Sequence, residues 1–183
     1  MKHPLRILLA GTTGYVGSHV AEQLVAEGHA LAVMVRVERE DAAARRLGAW
    51  PVRLGLGDTA KLAELASEVD AVVHCAASED PGFPHVNAAA VAAMLAALRP
   101  GCGFVLAESS LLFGDTGDRV LDGSEAPAPP PGLEARAALA RLLCFLLCVA
   151  APPLACPPPP GRGGGGFFVG GGGGAPPPPP PPP

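Results

Sequence analysis

Aromatic side chains are scarce in this chain: one tryptophan, one tyrosine and six phenylalanines make up 4% of its 183 residues. Lysine is scarce too, at Lys2 and Lys61 only, and the formal net charge is -4. A protein that grips nucleic acid needs a basic face for the phosphates and, for single strands, rings on which bases can stack. Neither is present, so nucleic acid is excluded as a partner. The five cysteines, Cys75, Cys102, Cys144, Cys148 and Cys156, include no Cys-x-x-Cys pair and no zinc or secretory spacing. No metal site is expected, and the thiols suit a reducing compartment. Long apolar runs are also missing. Leu142 to Ala151 spans ten residues, against the ~20 that cross a bilayer. Ile7 to Ala10, preceded by Lys2 and Arg6, is too short for a signal peptide and is followed at once by Gly11-Thr12-Thr13-Gly14. A cytoplasmic protein without membrane contact is the expectation.

Composition divides the chain. From Pro152 to Pro183 there are 14 prolines and 10 glycines in 32 residues, and Arg162 is the only charge after Arg141. Such a segment cannot bury enough apolar surface to order itself. Residues 1–150 are therefore expected to fold as one domain, and residues 151–183 to form a disordered, low-complexity tail.

Ala10-Gly11-Thr12-Thr13-Gly14-Tyr15-Val16-Gly17-Ser18 lies between an apolar run, Leu5 to Ala10, and a helical pattern, Val16 to Glu27. A strand passing through a glycine turn directly into a helix presents unpaired N–H groups, and the positive end of the helix dipole, to a pyrophosphate. Gly11 allows the tight turn, Gly14 a close approach to phosphate, and Gly17 close packing of helix on strand. Larger side chains at any of the three are expected to collide with ligand or sheet. The residues from Gly11 to Gly17, including Thr12, Thr13, Tyr15 and Val16, form a candidate dinucleotide cradle.

Strand and helix patterns then alternate. Ala30 to Val37 reads as a second strand, Asp41 to Leu47 as a helix, and Trp50 to Leu56 as a third strand. A helix from Ala60 to Ser67, a strand from Val69 to Ala76, a helix from Val86 to Leu98 and a strand from Gly103 to Ala107 follow. The continuous apolar strands suit a parallel sheet covered on both faces. At the end of the second strand an acid would accept from the 2′-hydroxyl of NAD, whereas an arginine would pair with the 2′-phosphate of NADP. Arg36 stands there, with Arg39 close behind, so NADP is preferred over NAD. Asp58 and Thr59 follow the third strand: Asp58 either accepts from adenine or caps the next helix. His74 falls within a strand and reads as a core histidine.

Together these residues resemble the NAD(P)-dependent epimerase/dehydratase branch of the short-chain dehydrogenase/reductase superfamily, over about residues 5 to 125. The matching features are Gly11, Gly14 and Gly17; Asp58; Val73-His74-Cys75-Ala76-Ala77 closing the fourth strand; Asn87; and Phe104 to Ser110 followed by Leu112-Phe113-Gly114. The resemblance implies a Rossmann-type doubly wound α/β sheet, Cys75, Ala76 and Ala77 among the cofactor contacts, and Ser109 or Ser110 as the serine that polarises the substrate oxygen.

The family chemistry also uses a Tyr-x-x-x-Lys pair, which would exchange a proton with substrate as hydride moves. Tyr15 is the only tyrosine, and Lys2 and Lys61 lie upstream of where the pair belongs. The passage from ordinary sequence into Cys, Pro and Gly tracts is what a reading-frame slip in a GC-rich gene would produce. If the tail is genuine, Pro176 to Pro183 form a polyproline II rod. In either case Leu142 to Ala151 stands where the family has a substrate domain, so the sheet is expected to be incomplete and the substrate pocket half built. An incompletely covered sheet edge invites aggregation or pairing with another chain, a homo-oligomer among the outcomes, and marginal solubility is expected. The leading expectation is an oxidoreductase or sugar-nucleotide-modifying type of NAD(P)-binding protein lacking its catalytic pair. The alternatives are a non-catalytic NADP-binding sensor and an interaction protein using its proline tail.

Overall fold

Five short strands pair side by side, all parallel, in the order β3-β2-β1-β4-β5. The computed structural model describes residues 3–121 and 125–140, which fall into two compact units divided after Ala107. The first unit holds β1 (Arg6–Ala10), α1 (Tyr15–Ala26), β2 (Ala30–Val35), α2 (Glu38–Leu47), β3 (Trp50–Arg53), α3 (Thr59–Glu68), β4 (Ala71–His74), α4 (Phe83–Ala97) and β5 (Gly103–Leu106). This is the expected doubly wound α/β arrangement. After β3 the chain crosses to the other side of β1 to lay down β4, so connections diverge between β1 and β4. In an open parallel sheet, that divergence leaves a crevice beyond the carboxyl ends of those two strands.

Alternation along the strands sorts the core into two layers. Ile7, Leu9, Leu31, Val33 and Val35 pack with Ala21 of α1 and Ala44 of α2. Leu8, Val72 and His74 fall on the opposite face and are fully buried. There the His74 ring nitrogen Nε2 lies 2.6 Å from Oδ1 of Asn87, tying β4 to α4. His74 is thus a core histidine, as its strand position suggests. Each large aliphatic side chain so buried contributes about 1.5–3 kcal/mol. The opposite ends of β1 and β4 are joined by charge. Asp70 accepts from the Arg6 backbone N–H at 2.9 Å and from its guanidinium at 3.0 and 3.3 Å, and Arg99 approaches the same carboxylate at 3.2 Å.

Several boundaries differ from the sequence expectation for identifiable reasons. Helix α2 starts at Glu38, three residues before the expected Asp41: Glu38, Glu40 and Asp41 all fall in its first turn, where the helix dipole favours acids. Helix α4 starts at Phe83, ahead of Val86, because Pro84 is tolerated in a first turn whose N–H groups need no partner within the helix. Strand β2 stops at Val35 and not Val37, as the Arg36 N–H turns to the Glu40 carboxylate. Strands β3 and β4 are also shorter than expected, Trp50–Arg53 and Ala71–His74.

The second unit begins at Glu108. It contains a 3₁₀ turn, Ser110–Phe113, and a partly buried ion pair in which Arg136 Nη2 lies 2.7 Å from Glu108 Oε2. The expected domain boundary near residue 150 and the proline tail lie outside the described residues.

Candidate functional site

The glycine turn sits at the β1 end of that crevice. Gly11 has φ +88°, and a Cβ there would stand 2.5 Å from the backbone N of Ala76, at the end of β4. A Cβ on Gly17 would overlap the Gly11 carbonyl oxygen. The backbone therefore closes on itself at two points where only hydrogen fits. Gly14 is different: its φ is -84° and a Cβ would meet only the Gly11 oxygen, at 3.4 Å. The chain itself thus requires glycine at Gly11 and Gly17, whereas at Gly14 it leaves room, and there the expectation of a close approach concerns the ligand and not the sheet. The turn is closed by Gly14 N–H donating to the Gly11 carbonyl at 3.1 Å.

Gly14 is the N-cap of α1, no side chain caps the helix, and no acid lies in its first turn. Its positive end is left to face a cavity of about 640 Å³ lined by Gly11, Thr13, Gly14, Tyr15, Val16 and Gly17. Such a volume suits a small-molecule or cofactor site. The far walls come from Arg36 after β2, from Gly55 and Leu56 after β3, and from Cys75, Ala76 and Ala77 after β4. A second cavity, of about 740 Å³, is lined by Thr12, Thr13, Ser18, Arg39, Glu40 and Arg46 among others. Thr12 belongs to this second cavity, and its Oγ1 is buried without a hydrogen-bond partner among the described residues.

Asp58 does not line either cavity. It is the N-cap of α3, its Oδ1 accepting from the Lys61 N–H at 3.2 Å, and Thr59 begins the helix behind it. Capping needs the carboxylate turned back onto its own helix, so Gly55 and Leu56 form the wall in its place. Ser109 caps the 3₁₀ turn of the second unit, accepting from the Leu111 N–H at 3.2 Å, and Ser110 is exposed. Cys75 is half-buried, and desolvation raises its thiol above the ordinary value of 9.0. Sequence reasoning missed Glu40, which lines both cavities and accepts from the Arg36 N–H at 2.8 Å. The signal lies in its place on the first turn of α2, which the expectation of a helix from Asp41 leaves outside the helix.

A parallel sheet with this strand order, and a glycine turn feeding an uncapped helix at its switch point, defines a Rossmann-type nucleotide-binding protein. The model of the NAD dependent epimerase/dehydratase family matches residues 7–134, and the chain belongs to that family. It is 32% identical over 71 residues to a sterol-4-alpha-carboxylate 3-dehydrogenase, decarboxylating, of Dictyostelium discoideum, a match covering 39% of this chain and 22% of that protein. Its fold resembles a UDP-glucose-4-epimerase of Stenotrophomonas maltophila solved with bound NAD and formylated UDP-arabinopyranose. There the TM-score is 0.64 at 24% identity, covering 80% of this chain and 50% of that one. A structure solved with NADP+ and (+)pinoresinol is similar at TM-score 0.57 and 25% identity, covering 82% and 48%. The chain thus spans about half the length of the solved structures it matches. Among the described residues no helix is long and apolar enough to cross a membrane, and no cluster of potential metal ligands is found.

Proposed function

We propose that the first unit binds a nicotinamide dinucleotide, NADP in preference to NAD, with the pyrophosphate against the N-terminus of α1. The observation that carries this reading is the uncapped, acid-free start of α1 opening into the cavity at the β1/β4 switch. Among the described residues no side chain caps this helix and no acid lies in its first turn, and a bound pyrophosphate would satisfy its leading N–H groups. Gly11 and Gly17 hold the turn in place, and the space at Gly14 admits the phosphates. Arg36 lines the same cavity and would attract the 2′-phosphate of NADP. Thr13, Tyr15, Val16, Cys75, Ala76 and Ala77, which line the same cavity, would complete the contacts, while Thr12 would support the turn from the second cavity and Asp58 and Thr59 would fix the loop that carries Gly55 and Leu56.

When bound, the nicotinamide would supply hydride chemistry of the oxidoreductase or sugar-nucleotide-modifying kind. Ser109 and Ser110 remain the proposed serines for polarising a substrate oxygen. The lone tyrosine, Tyr15, and the lysines Lys2 and Lys61 do not form the Tyr-x-x-x-Lys pair, and this favours a second reading, a cytoplasmic sensor that binds NADP without consuming it. Calorimetric titration of the full chain with NADPH and NADH tests both. Saturable binding is expected, tighter for NADPH, and absence of binding at millimolar nucleotide would overturn both readings. Turnover of any carbonyl substrate by the bound complex would remove the sensor.

A further inference from the structure

Glu40 stands where the two cavities meet. It and Thr13 line both of them, Glu40 facing the first together with Arg36 and the second together with Arg39 and Arg46. Its neighbours Glu38 and Arg39 are exposed, whereas Glu40 is half-buried. Its carboxylate is fixed in position: Oε2 accepts from the backbone N–H of Arg36 at 2.8 Å, directly beyond the last residue of β2. The carboxylate is thus anchored through the backbone of the very residue whose side chain carries the opposite charge.

A carboxylate has about four acceptor positions, and the Arg36 N–H uses one. A ribose hydroxyl can donate to those that remain. A phosphate ester at neutral pH carries about -1.5 to -2 charge and has little proton to donate, so the same carboxylate opposes it.

We infer that Glu40 is the specificity-determining residue at the adenosine ribose, accepting a hydrogen bond from the 2′-hydroxyl of NAD and opposing the 2′-phosphate that Arg36 attracts. The inference rests on the reading that the first cavity takes a nicotinamide dinucleotide. Its consequence is that the chain discriminates weakly: a cation and an anion on one wall pull the preference in opposite directions, and both dinucleotides bind.

The test is calorimetry on the full chain with NADPH, NADH and an NADH analogue lacking the 2′-hydroxyl of the adenosine ribose. Glu40→Gln retains an oxygen to accept from the Arg36 N–H and removes the charge. It is expected to raise the NADPH:NADH affinity ratio about tenfold, the scale of one charge–charge interaction at a half-exposed site. An unchanged ratio, with both dinucleotides still bound, overturns the inference and leaves the binding reading intact. In the unmutated chain the deoxy analogue is expected to bind at least about tenfold more weakly than NADH, the scale of one hydrogen bond to a charged group. Equal affinity overturns the inference without recourse to a variant. Failure of the unmutated chain to bind any of the three overturns the inference and the reading beneath it together.

Discussion

A Cβ placed on Gly17 would overlap the carbonyl oxygen of Gly11, so the first turn of α1 lies against the end of β1 at a separation that only hydrogen permits. The two glycines fix where the helix starts, and hence where its unpaired N–H groups point.

Replacing Gly17 with alanine forces helix and turn apart. Overpacking of this kind costs about 1–3 kcal/mol, partly offset by the better helix propensity of alanine. Chemical denaturation is expected to show a net loss of about 1–2 kcal/mol. Gly14→Ala meets no obstacle in the chain and removes only a fair N-cap, so its cost should stay below about 1 kcal/mol. In a nucleotide titration the order reverses in kind: Gly14→Ala folds but loses at least roughly tenfold in affinity, about 1.4 kcal/mol. Equal stability of the two variants would show that the Gly11–Gly17 approach is not a constraint on the fold.

The Arg6–Asp70 pair makes stability depend on pH at the acid end. The hydrogen bond from Arg6 holds the Asp70 carboxyl below its ordinary value of 3.8. The folded chain therefore binds fewer protons here than the unfolded chain, and the stabilisation is complete above the unfolded value. It is lost as pH falls through the depressed folded value. Urea titrations between pH 7 and pH 2 are expected to show a steeper acid decline for the natural chain than for Asp70→Asn. Parallel declines would mean that the pair contributes nothing to acid sensitivity.

Cys75 lines the first cavity, and burial raises its thiol above 9.0. A thiol so placed is mostly protonated at neutral pH and reacts slowly. Alkylation followed by mass spectrometry of the Cys75 peptide should therefore keep accelerating as pH rises past 9.0, where an ordinary thiol begins to level off. Saturating NADPH should protect the residue at least roughly fivefold, on the proposed occupancy of the cavity. Labelling unaffected by nucleotide would place the ligand away from the end of β4.

The sheet was legible because its strands are apolar runs bounded by glycine and acidic punctuation. Gly28 and Gly48 follow α1 and α2 with φ +84° and +88°, as left-handed stops. The cradle from Gly11 to Gly17 was legible because turn geometry, and not packing, selects glycine there. Asp58 was harder: a carboxylate after a strand serves adenine and a helix N-cap equally well in one dimension, and only the fold reveals the capping bond from the Lys61 N–H. Glu40 was missed for a different reason. Its importance depends on a helix starting three residues earlier than the alanine run suggests, which turns a loop acid into a wall of the cavity. Local patterns find elements well, but a side chain's destination depends on where the first turn begins.

Arg36 offers the sharpest separation of cofactor from fold. The residue lines the cavity beyond β2 and is exposed, while the hydrogen bond that organises its backbone is made by its N–H to Glu40. Arg36→Asp keeps that N–H, so stability should change by no more than about 0.5 kcal/mol. Cofactor preference should change much more. Removing a cation that pairs with the 2′-phosphate, and adding an anion beside Glu40, is expected to weaken NADPH relative to NADH by about thirtyfold, or about 2 kcal/mol. NADH should hold or tighten, since a second carboxylate adds an acceptor for the ribose hydroxyls. Competitive titration of the two reduced dinucleotides against the variant measures the ratio directly. A ratio equal to that of the natural chain would show that Arg36 points away from the adenosine ribose, and the NADP preference would then have to come from Arg39 or Arg46 in the adjoining cavity.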